Sequence, residues 1–330
     1  MKKSLIALAA LGAFAGAASA QSSVTIYGII DVGVSKLNGG TSVLNGGPAG
    51  TIGIRDGYSV KPSTSNRLGF RGTEDLGGGL KANFVIEHRF RPDDGTLESS
   101  TTFWQGQSWV GLSGNFGEVR LGRQYVPAFY IGLASDPWGY DYNVAGANLF
   151  TRGATGGTDV TRSPNAVGYR TPNLSGFTAE VQVAAGEGSA AEISNRRNVG
   201  ANVMYSGGPL SAGVGYNDTD TVATQRYWNS FVAYDLGFVR PVVAYSRTTV
   251  GTVDTTSYLV GATAPLGGGR LKAVAARKNP DGGNNNTTKF GLGYEYFLSK
   301  RTSVHADVGT AKTQNLTRTT GVEAGVKHVF

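Results

Sequence analysis

The sequence predicts an all-β protein whose 16 antiparallel strands close into a barrel that crosses a membrane. Segments of about ten residues alternate apolar and polar side chains, and the connections between them are short and long in turn, as in membrane-spanning barrels. After residue 20 no apolar run reaches the roughly 20 residues that a helical span needs. The alternation continues to the last residue, Phe330, and closure of a barrel gives such a terminal strand a partner on each side.

The first 20 residues have the features of a cleaved signal peptide. Lys2 and Lys3 supply positive charge, residues 5–15 form a short apolar stretch, and Ala-Ser-Ala at positions 18–20 matches the small-residue cleavage pattern. The apolar stretch is well short of a transmembrane helix. We therefore expect the mature chain to begin at Gln21.

Composition agrees with a barrel and excludes several kinds of site. The chain has 50 glycines, 16% charged residues and no cysteine, so disulfides, thiol nucleophiles and zinc–cysteine sites are excluded. Its formal charge is +7, or 7 − 2 = +5 once the two lysines of the signal peptide are removed. Without a basic run, an exported chain of this kind is not expected to bind nucleic acid. Residues 21–330 contain no linker, so we predict one barrel domain over that range.

Sixteen segments have the alternation of a strand with one wet face and one dry face. In chain order the predicted strands are Ser23–Lys36, Arg67–Asp75, Leu80–Arg91, Gln107–Ser113, Glu118–Gln124, Asn165–Thr171, Phe177–Ala185, Asn198–Ser206, Leu210–Asn217, Gln225–Asp235, Val239–Thr249, Thr256–Pro265, Arg270–Lys278, Lys289–Leu298, Thr302–Thr310 and Thr320–Phe330. In the third strand a one-residue slip would place charged side chains in lipid, so its register is well specified. The connection from Tyr125 to Pro164 is far longer than usual, which predicts that it is functional or contains structure.

Several short stretches carry a resemblance to a known family. They are Ser23-Val24-Thr25-Ile26-Tyr27-Gly28, the run from Arg67 to Gly77, the run from Gly117 to Gln124, Leu298-Ser299-Lys300-Arg301-Thr302 and the ending His328-Val329-Phe330. Through them the chain resembles the general diffusion porins of Gram-negative outer membranes, of the β-proteobacterial type. The resemblance implies a homotrimer in the outer membrane that passes small hydrophilic solutes and anions passively. It also implies that the third external loop folds into the lumen and narrows it.

The same resemblance suggests partners. These are the lipid bilayer, lipopolysaccharide, further copies of the chain and the barrel-assembly machinery, which is expected to read the terminal aromatic Phe330. The sequence also places Phe330 on the last strand, which we expect to close against the first strand near Val24 and Ile26. No cofactor is expected.

The wet strand faces carry a group of cations on one arc of the predicted wall. By strand parity the inward-facing basic residues are Arg67, Arg71, Lys81, Arg89, Arg91, Arg120 and Arg162. Of these, we assign Arg67, Arg71, Arg89, Arg120 and Arg162 to a pore constriction. The long loop opposite them carries Asp136, Asp141 and Asp159. Cations facing carboxylates across a narrow lumen would set the ion selectivity of a channel, and a positive balance favours anions. The alternative is that these arginines only pair with Glu74, Glu87 and Glu118 on the same wet faces.

The resemblance refines this expectation. Arg67 and Arg162 match wall arginines of the family's constriction, whereas Gln107 stands where members of this type can carry a third arginine. The departure predicts mild anion selectivity. Within transport, the alternative is a channel specific for organic anions; outside transport, it is a secreted all-β adhesin or structural protein.

Metal binding and catalysis find no support in the sequence. The three histidines His88, His305 and His328 lack the spacing of metal ligands. Ser303, His305 and Asp307 alternate on one strand face, where side chains two apart stand about 7 Å from each other, beyond hydrogen-bond reach. We therefore expect a channel without enzymatic activity.

Overall fold

The computed structural model describes residues 23–44, 56–141, 143–151, 161–186, 197–219, 225–283 and 285–330. The strands are β1 (Ser23–Asn38), β2 (Asp56–Pro62), β3 (Arg67–Gly77), β4 (Leu80–Arg89), β5 (Gln107–Gly114), β6 (Gly117–Tyr125), β7 (Arg162–Arg170), β8 (Phe177–Ala184), β9 (Asn198–Gly207), β10 (Leu210–Thr219), β11 (Gln225–Tyr234), β12 (Arg240–Val250), β13 (Val253–Leu266), β14 (Gly269–Pro280), β15 (Thr287–Phe297), β16 (Thr302–Thr313) and β17 (Thr319–Val329). Two helices, α1 (Pro127–Ser135) and α2 (Asn148–Thr151), lie between β6 and β7. The expected signal peptide, residues 1–20, and Asp159 fall outside the described residues.

Strand pairing closes the sheet on itself. Every pair of neighbours is antiparallel, and β1 pairs with β17 on one side and with β2 and β3 on the other. Because β2 and β3 follow one another along the same side of β1, the 17 segments fill 16 positions around the wall. The predicted 16-stranded antiparallel barrel is confirmed, and the predicted strand bounds agree with the structure to within a few residues.

One strand was not predicted. β2 pairs with the second half of β1, from Val32 opposite Pro62 to Asn38 opposite Asp56, and four buried residues separate it from β3. In this interruption the Asn66 side chain takes the place of a backbone partner: its amide oxygen accepts from the Asp31 N–H at 2.5 Å and its amide nitrogen donates to the Asp31 carbonyl at 3.2 Å. The break sends Ser63–Asn66 toward the lumen without leaving β1 unpaired.

The two faces of the wall are inverted relative to a water-soluble protein. On β13, for example, Tyr258 and Val260 are more than half exposed, while Thr255 and Ser257, which point to the opposite face, are buried. The same holds around the barrel, where large apolar side chains point outward and polar ones inward. An exposed apolar exterior of this extent requires lipid rather than water. Among the described residues, no helix has the length and hydropathy of a membrane span.

Turns at one end of the barrel are tight, with two to six residues between β3 and β4, β5 and β6, and so on to β15 and β16. The turn between β3 and β4 uses Gly78 and Gly79 at φ of 61° and 82°, a region that glycine adopts without strain. The connections at the other end include the long one between β6 and β7. This asymmetry is typical of short periplasmic turns and longer external loops.

The long connection packs against the inner face of the wall. Polar wall side chains donate to its backbone: Gln182 to Tyr125 O at 2.9 Å, Asn202 to Pro127 O at 2.7 Å and Asn229 to Ala128 O at 2.8 Å. Further round, Ser246 donates to Phe150 O at 3.0 Å and Lys289 to Val144 O at 2.8 Å. The loop therefore lies across the lumen, attached to strands from β8 to β15.

An apolar core lies inside the barrel, between this loop and the wall. Ile131, Trp138 and Phe150 from the loop bury against inward-facing apolar residues of β11–β14, which are Phe231, Ala233, Val242, Leu259, Val274 and Ala276. These wall positions break the usual polar-inward pattern, and burial under the loop is the reason. Wall glycines also make room, since a Cβ at Gly291 or Gly309 would overlap the backbone of Ala145 or Val144.

The last residue completes the closure, at a register that differs from the prediction. Phe330 exchanges backbone hydrogen bonds with Gly28 at 3.0 and 3.1 Å, and its ring lies where a Gly28 Cβ would be. Val24 and Ile26, the expected partners, extend past the end of β17 and pair only with β3. The stagger between first and last strands in a tilted barrel accounts for the offset.

Candidate functional site

Three of the five predicted arginines meet beside the long loop. Arg67 on β3 lies opposite Arg89 on β4, and Arg162 at the start of β7 lies opposite Tyr125 at the end of β6. We call Arg67, Arg89 and Arg162 the arginine cluster. Strand parity brings the first two together, and the pairing of β6 with β7 adds the third.

Arg89 is the fixed member of the cluster. It is only 1% exposed and donates to Glu87 Oε1 at 2.6 Å, Ser65 O at 2.8 Å and the Tyr125 hydroxyl at 2.5 Å. Tyr27 donates to the other Glu87 oxygen at 3.0 Å. Arg89 and Glu87 form a buried ion pair, so the alternative of pairing along the wet face holds for this arginine.

Arg67 and Arg162 are held differently. The Nε of Arg67 donates to Ser65 O at 3.2 Å, and no carboxylate pairs with Arg67 in the described part of the chain. Arg162 donates to the Tyr125 hydroxyl at 3.2 Å and lies 4.7 Å from the centre of that ring, a cation–π contact. The Ser65 carbonyl, exposed by the break between β2 and β3, thus orients two of the three guanidinium groups.

The arginine cluster opens onto a cavity of about 180 Å³. Its lining consists of Thr64, Ser65, Arg67, Arg89, Gln107, Tyr125, Phe129, Tyr130, Leu133, Gly139, Tyr140, Thr161 and Arg162. No carboxylate is among these residues; Glu87 and Glu98, which contact Arg89 and Ser65, stand behind them. Gln107 lies in the lining, where its Oε1 accepts from the Trp109 indole at 3.1 Å.

The two loop carboxylates that the structure describes, Asp136 and Asp141, do not line this cavity. Asp136 is buried just after α1, where it accepts the backbone N–H groups of Trp138 at 3.0 Å and Tyr140 at 3.3 Å. Burial raises the pKa of Asp136 to about 6. Its side chain shapes the turn of the loop instead of pairing across the lumen.

Asp141 makes contacts on another part of the wall. It accepts from the Thr64 hydroxyl and forms an ion pair with Lys327 of β17 at 3.1 Å. Thr64 belongs to the same β2–β3 interruption that supplies Ser65. The predicted opposition of loop acids and wall arginines is therefore replaced, for Asp136 and Asp141, by contacts within the loop and with a lysine.

Arg71 and Arg120 lie apart from the cluster. Arg71 is four residues along β3 from Arg67, about 13 Å, and stacks 5.3 Å from the Tyr27 ring. Arg120 is buried between Glu118, at 2.8 Å, and Glu180, at 3.6 Å. These two positions are nearer the short-turn end of the lumen.

A second charged group lies where the wall closes. His305 is held between Asp307, at 2.9 Å, and Asp31 of β1, at 3.0 Å, and Asp307 accepts from the Trp138 indole at 2.8 Å. We call Asp31, His305 and Asp307, with Trp138 and the Asp141–Lys327 pair, the His305 cluster. It encloses a space of only about 10 Å³. Ser303 is not part of it, since its hydroxyl donates to Glu295 at 2.8 Å.

The sequence pattern does not single out the aromatic residues that line the cavity beside the arginine cluster. Tyr125, Phe129, Tyr130 and Tyr140 reach the cavity only because of the path that the loop takes. The one available signal was the density of aromatics in the long connection. Within the described ranges, no group of three or more His, Asp or Glu side chains could hold a metal ion.

A closed barrel with a lipid-facing exterior and a charged, open lumen defines a channel across a membrane. Comparisons with known proteins agree. A model of the Gram-negative porins matches residues 7–316. Outer membrane porin protein 32 of Delftia acidovorans is 34% identical over 100% of both chains, and an outer membrane porin protein of Bordetella pertussis is 30% identical over the same share. The anion-selective porin from Comamonas acidovorans has a TM-score of 0.80 and 30% identity, covering 94% of this chain and 100% of that one.

The chain belongs to the Gram-negative porin family. The predicted family and outer-membrane localisation are confirmed, and family and fold together indicate a channel rather than an enzyme.

Proposed function

We propose that this outer-membrane porin is a passive channel for small hydrophilic solutes with a mild preference for anions, set by the arginine cluster. The observation that carries the proposal is the lining of the cavity: three guanidinium groups and no carboxylate among the described residues. Such a lining raises the local concentration of anions and repels cations. The name of the Comamonas relative, which calls that porin anion-selective, points the same way.

Two features support a mild rather than a strong preference. Glu87 neutralises Arg89 directly, so part of the positive charge is balanced inside the wall. Gln107 contributes an uncharged amide to the lining. The loop acids Asp136 and Asp141 are held elsewhere, and neither lines the cavity onto which the arginine cluster opens.

The proposal extends to processing and assembly. Cleavage after Ala20, a homotrimer, contact with lipopolysaccharide and recognition of Phe330 by the barrel-assembly machinery are expected from the resemblance to porins. The absence of enzymatic activity is supported by Ser303, whose hydroxyl bonds to Glu295 and not to His305.

A reversal potential across a planar bilayer in a KCl gradient tests the selectivity. The wild-type channel is expected to give an anion-favouring sign, and the double variant R67S/R162S a shift toward cations. Arg277 is the matched control because it is an exposed arginine on the outer face that contacts Asn279 at 2.8 Å. R277S should reproduce the wild-type potential. A cation-favouring wild type, or an unchanged double variant, would contradict the proposal.

A further inference from the structure

The lumen contains an exposed apolar strip where a water-filled channel needs none. Helix α1 buries Ala128 and Ile131 against the wall, while its other side leaves Phe129 and Tyr130 partly exposed and Leu133 36% exposed. These three side chains line the same cavity as the arginine cluster. With Tyr140 we call them the aromatic strip.

The strip is continuous with the arginines through Tyr125. The Tyr125 ring stacks on Phe129 at 4.2 Å between centroids and 7° between planes, and its hydroxyl accepts from Arg89 and Arg162. Phe129 in turn meets the Tyr140 ring edge-on at 5.0 Å. A flat aromatic surface is thereby held beside fixed guanidinium groups, with little freedom to collapse.

The strip also borders a second space. Tyr130 and Leu133 line a second cavity of about 230 Å³, whose remaining lining is partly apolar (Ala134, Met204) and partly polar or charged (Arg170, Thr178, Glu180, Asn202). The aromatic strip therefore reaches from one cavity into the next. It offers a surface to the body of a solute, while the arginines contact its charge.

We propose that the arginine cluster and the aromatic strip together form a weak binding site for small aromatic carboxylates. The carboxylate would be held by Arg67 and Arg162 and the ring would pack on Phe129 and Tyr130. A volume near 180 Å³ is below the roughly 300–1,000 Å³ of sites for drug-sized ligands, which limits the solute to a single ring. The site is open to the lumen, so that binding remains weak enough for release.

This inference rests on the proposed anion preference and adds a solute class to it. Charge alone would treat all monocarboxylates of one size alike. Aromatic contacts add specificity because paired rings gain about 0.5–1.5 kcal/mol beyond their buried area, which corresponds to roughly 2- to 12-fold in affinity.

The experiment compares benzoate with cyclohexanecarboxylate, which has the same charge and a similar size but no aromatic face. Each is titrated against single channels in a planar bilayer in KCl, and the concentration that halves the conductance is measured. Wild-type protein should respond to benzoate at a concentration roughly 2- to 12-fold lower. F129L and Y130L should each reduce this ratio toward one. F103L is the control, since Phe103 stacks on His88 away from the α1 cavity.

Each outcome separates the two proposals. Equal responses to the two carboxylates in wild-type protein, or a ratio that persists in both F129L and Y130L, would overturn the aromatic site and leave the anion preference standing. A wild-type channel that favours cations in a KCl gradient would overturn both. A variant that gives open channels in KCl alone has folded and inserted, so a lost ratio in it cannot be attributed to misfolding.

Discussion

The arginine cluster and the His305 cluster are two charged groups in one lumen that differ in how their charges are paired and in how much open space they line. In the His305 cluster each charge faces an opposite one, with His305 between Asp31 and Asp307 and Lys327 on Asp141, and the enclosed space is about 10 Å³. The arginine cluster lines a space of about 180 Å³ with three guanidinium groups and, among the described residues, no carboxylate. Charge content alone therefore does not make a selectivity site, because the charges must also line an open space.

The largest effect on stability is expected at Arg89, which pairs with Glu87. R89Q leaves Glu87 buried without its partner, so we expect a loss of about 3–5 kcal/mol of stability. R67Q removes one hydrogen bond to a carbonyl, and its cost should stay near 1 kcal/mol. Denaturant midpoints, followed by the heat-modified gel mobility of the barrel, measure both. Similar midpoints for R89Q and R67Q would mean that the two arginines are held alike.

Asp136, in the loop between the two clusters, should make stability depend on pH. Its pKa of about 6 in the fold lies above the ordinary value near 3.9. The folded state therefore binds the proton of Asp136 more tightly than the unfolded state does. The resulting contribution to the free energy of unfolding is complete below about pH 4 and is lost as the pH rises to about 6. The full effect is at most about 3 kcal/mol. D136N should lack this loss, so its midpoint relative to wild type should rise between pH 4 and pH 7; a constant difference would refute the assignment.

Replacing Lys327, at the edge of the His305 cluster, should have a smaller effect on stability. K327M leaves Asp141 near Asp31 and Asp307 without its cation. Because the Lys327 side chain is 20% exposed, solvent screens part of the penalty, and we expect about 2 kcal/mol rather than the value for a fully buried pair. K312M is the control, since Lys312 is exposed on the outer face and donates to the Leu316 carbonyl. Equal denaturant midpoints for K327M and K312M would show that the Asp141–Lys327 pair does not stabilise the cluster.

Strand alternation was sufficient for the fold and for the inward direction of all three members of the arginine cluster. It placed Arg67, Arg89 and Arg162 on wet faces because side chains repeat every second residue along a strand. It did not reveal β2, because the break after Pro62 depends on Asn66 replacing a backbone partner of Asp31, a substitution that no periodic pattern signals.

The contacts that the long loop makes with the wall could not be predicted from the sequence pattern. Asp136 and Asp141 were expected to face the arginines, yet Asp141 meets Lys327, 186 residues away in the chain. Loop backbone has no period from which a partner can be read. Likewise the inward apolar positions Phe231, Val242 and Leu259 appear as exceptions to alternation until the loop that covers them is placed.

The loop attachments also have a mechanical consequence. Wall side chains from Gln182 on β8 to Lys327 on β17 bind the same loop from different sides of the barrel. Lateral pressure from the bilayer that flattened the barrel into an ellipse would have to stretch or shear the loop. The loop is therefore expected to resist deformation of the barrel cross-section, in addition to narrowing the lumen.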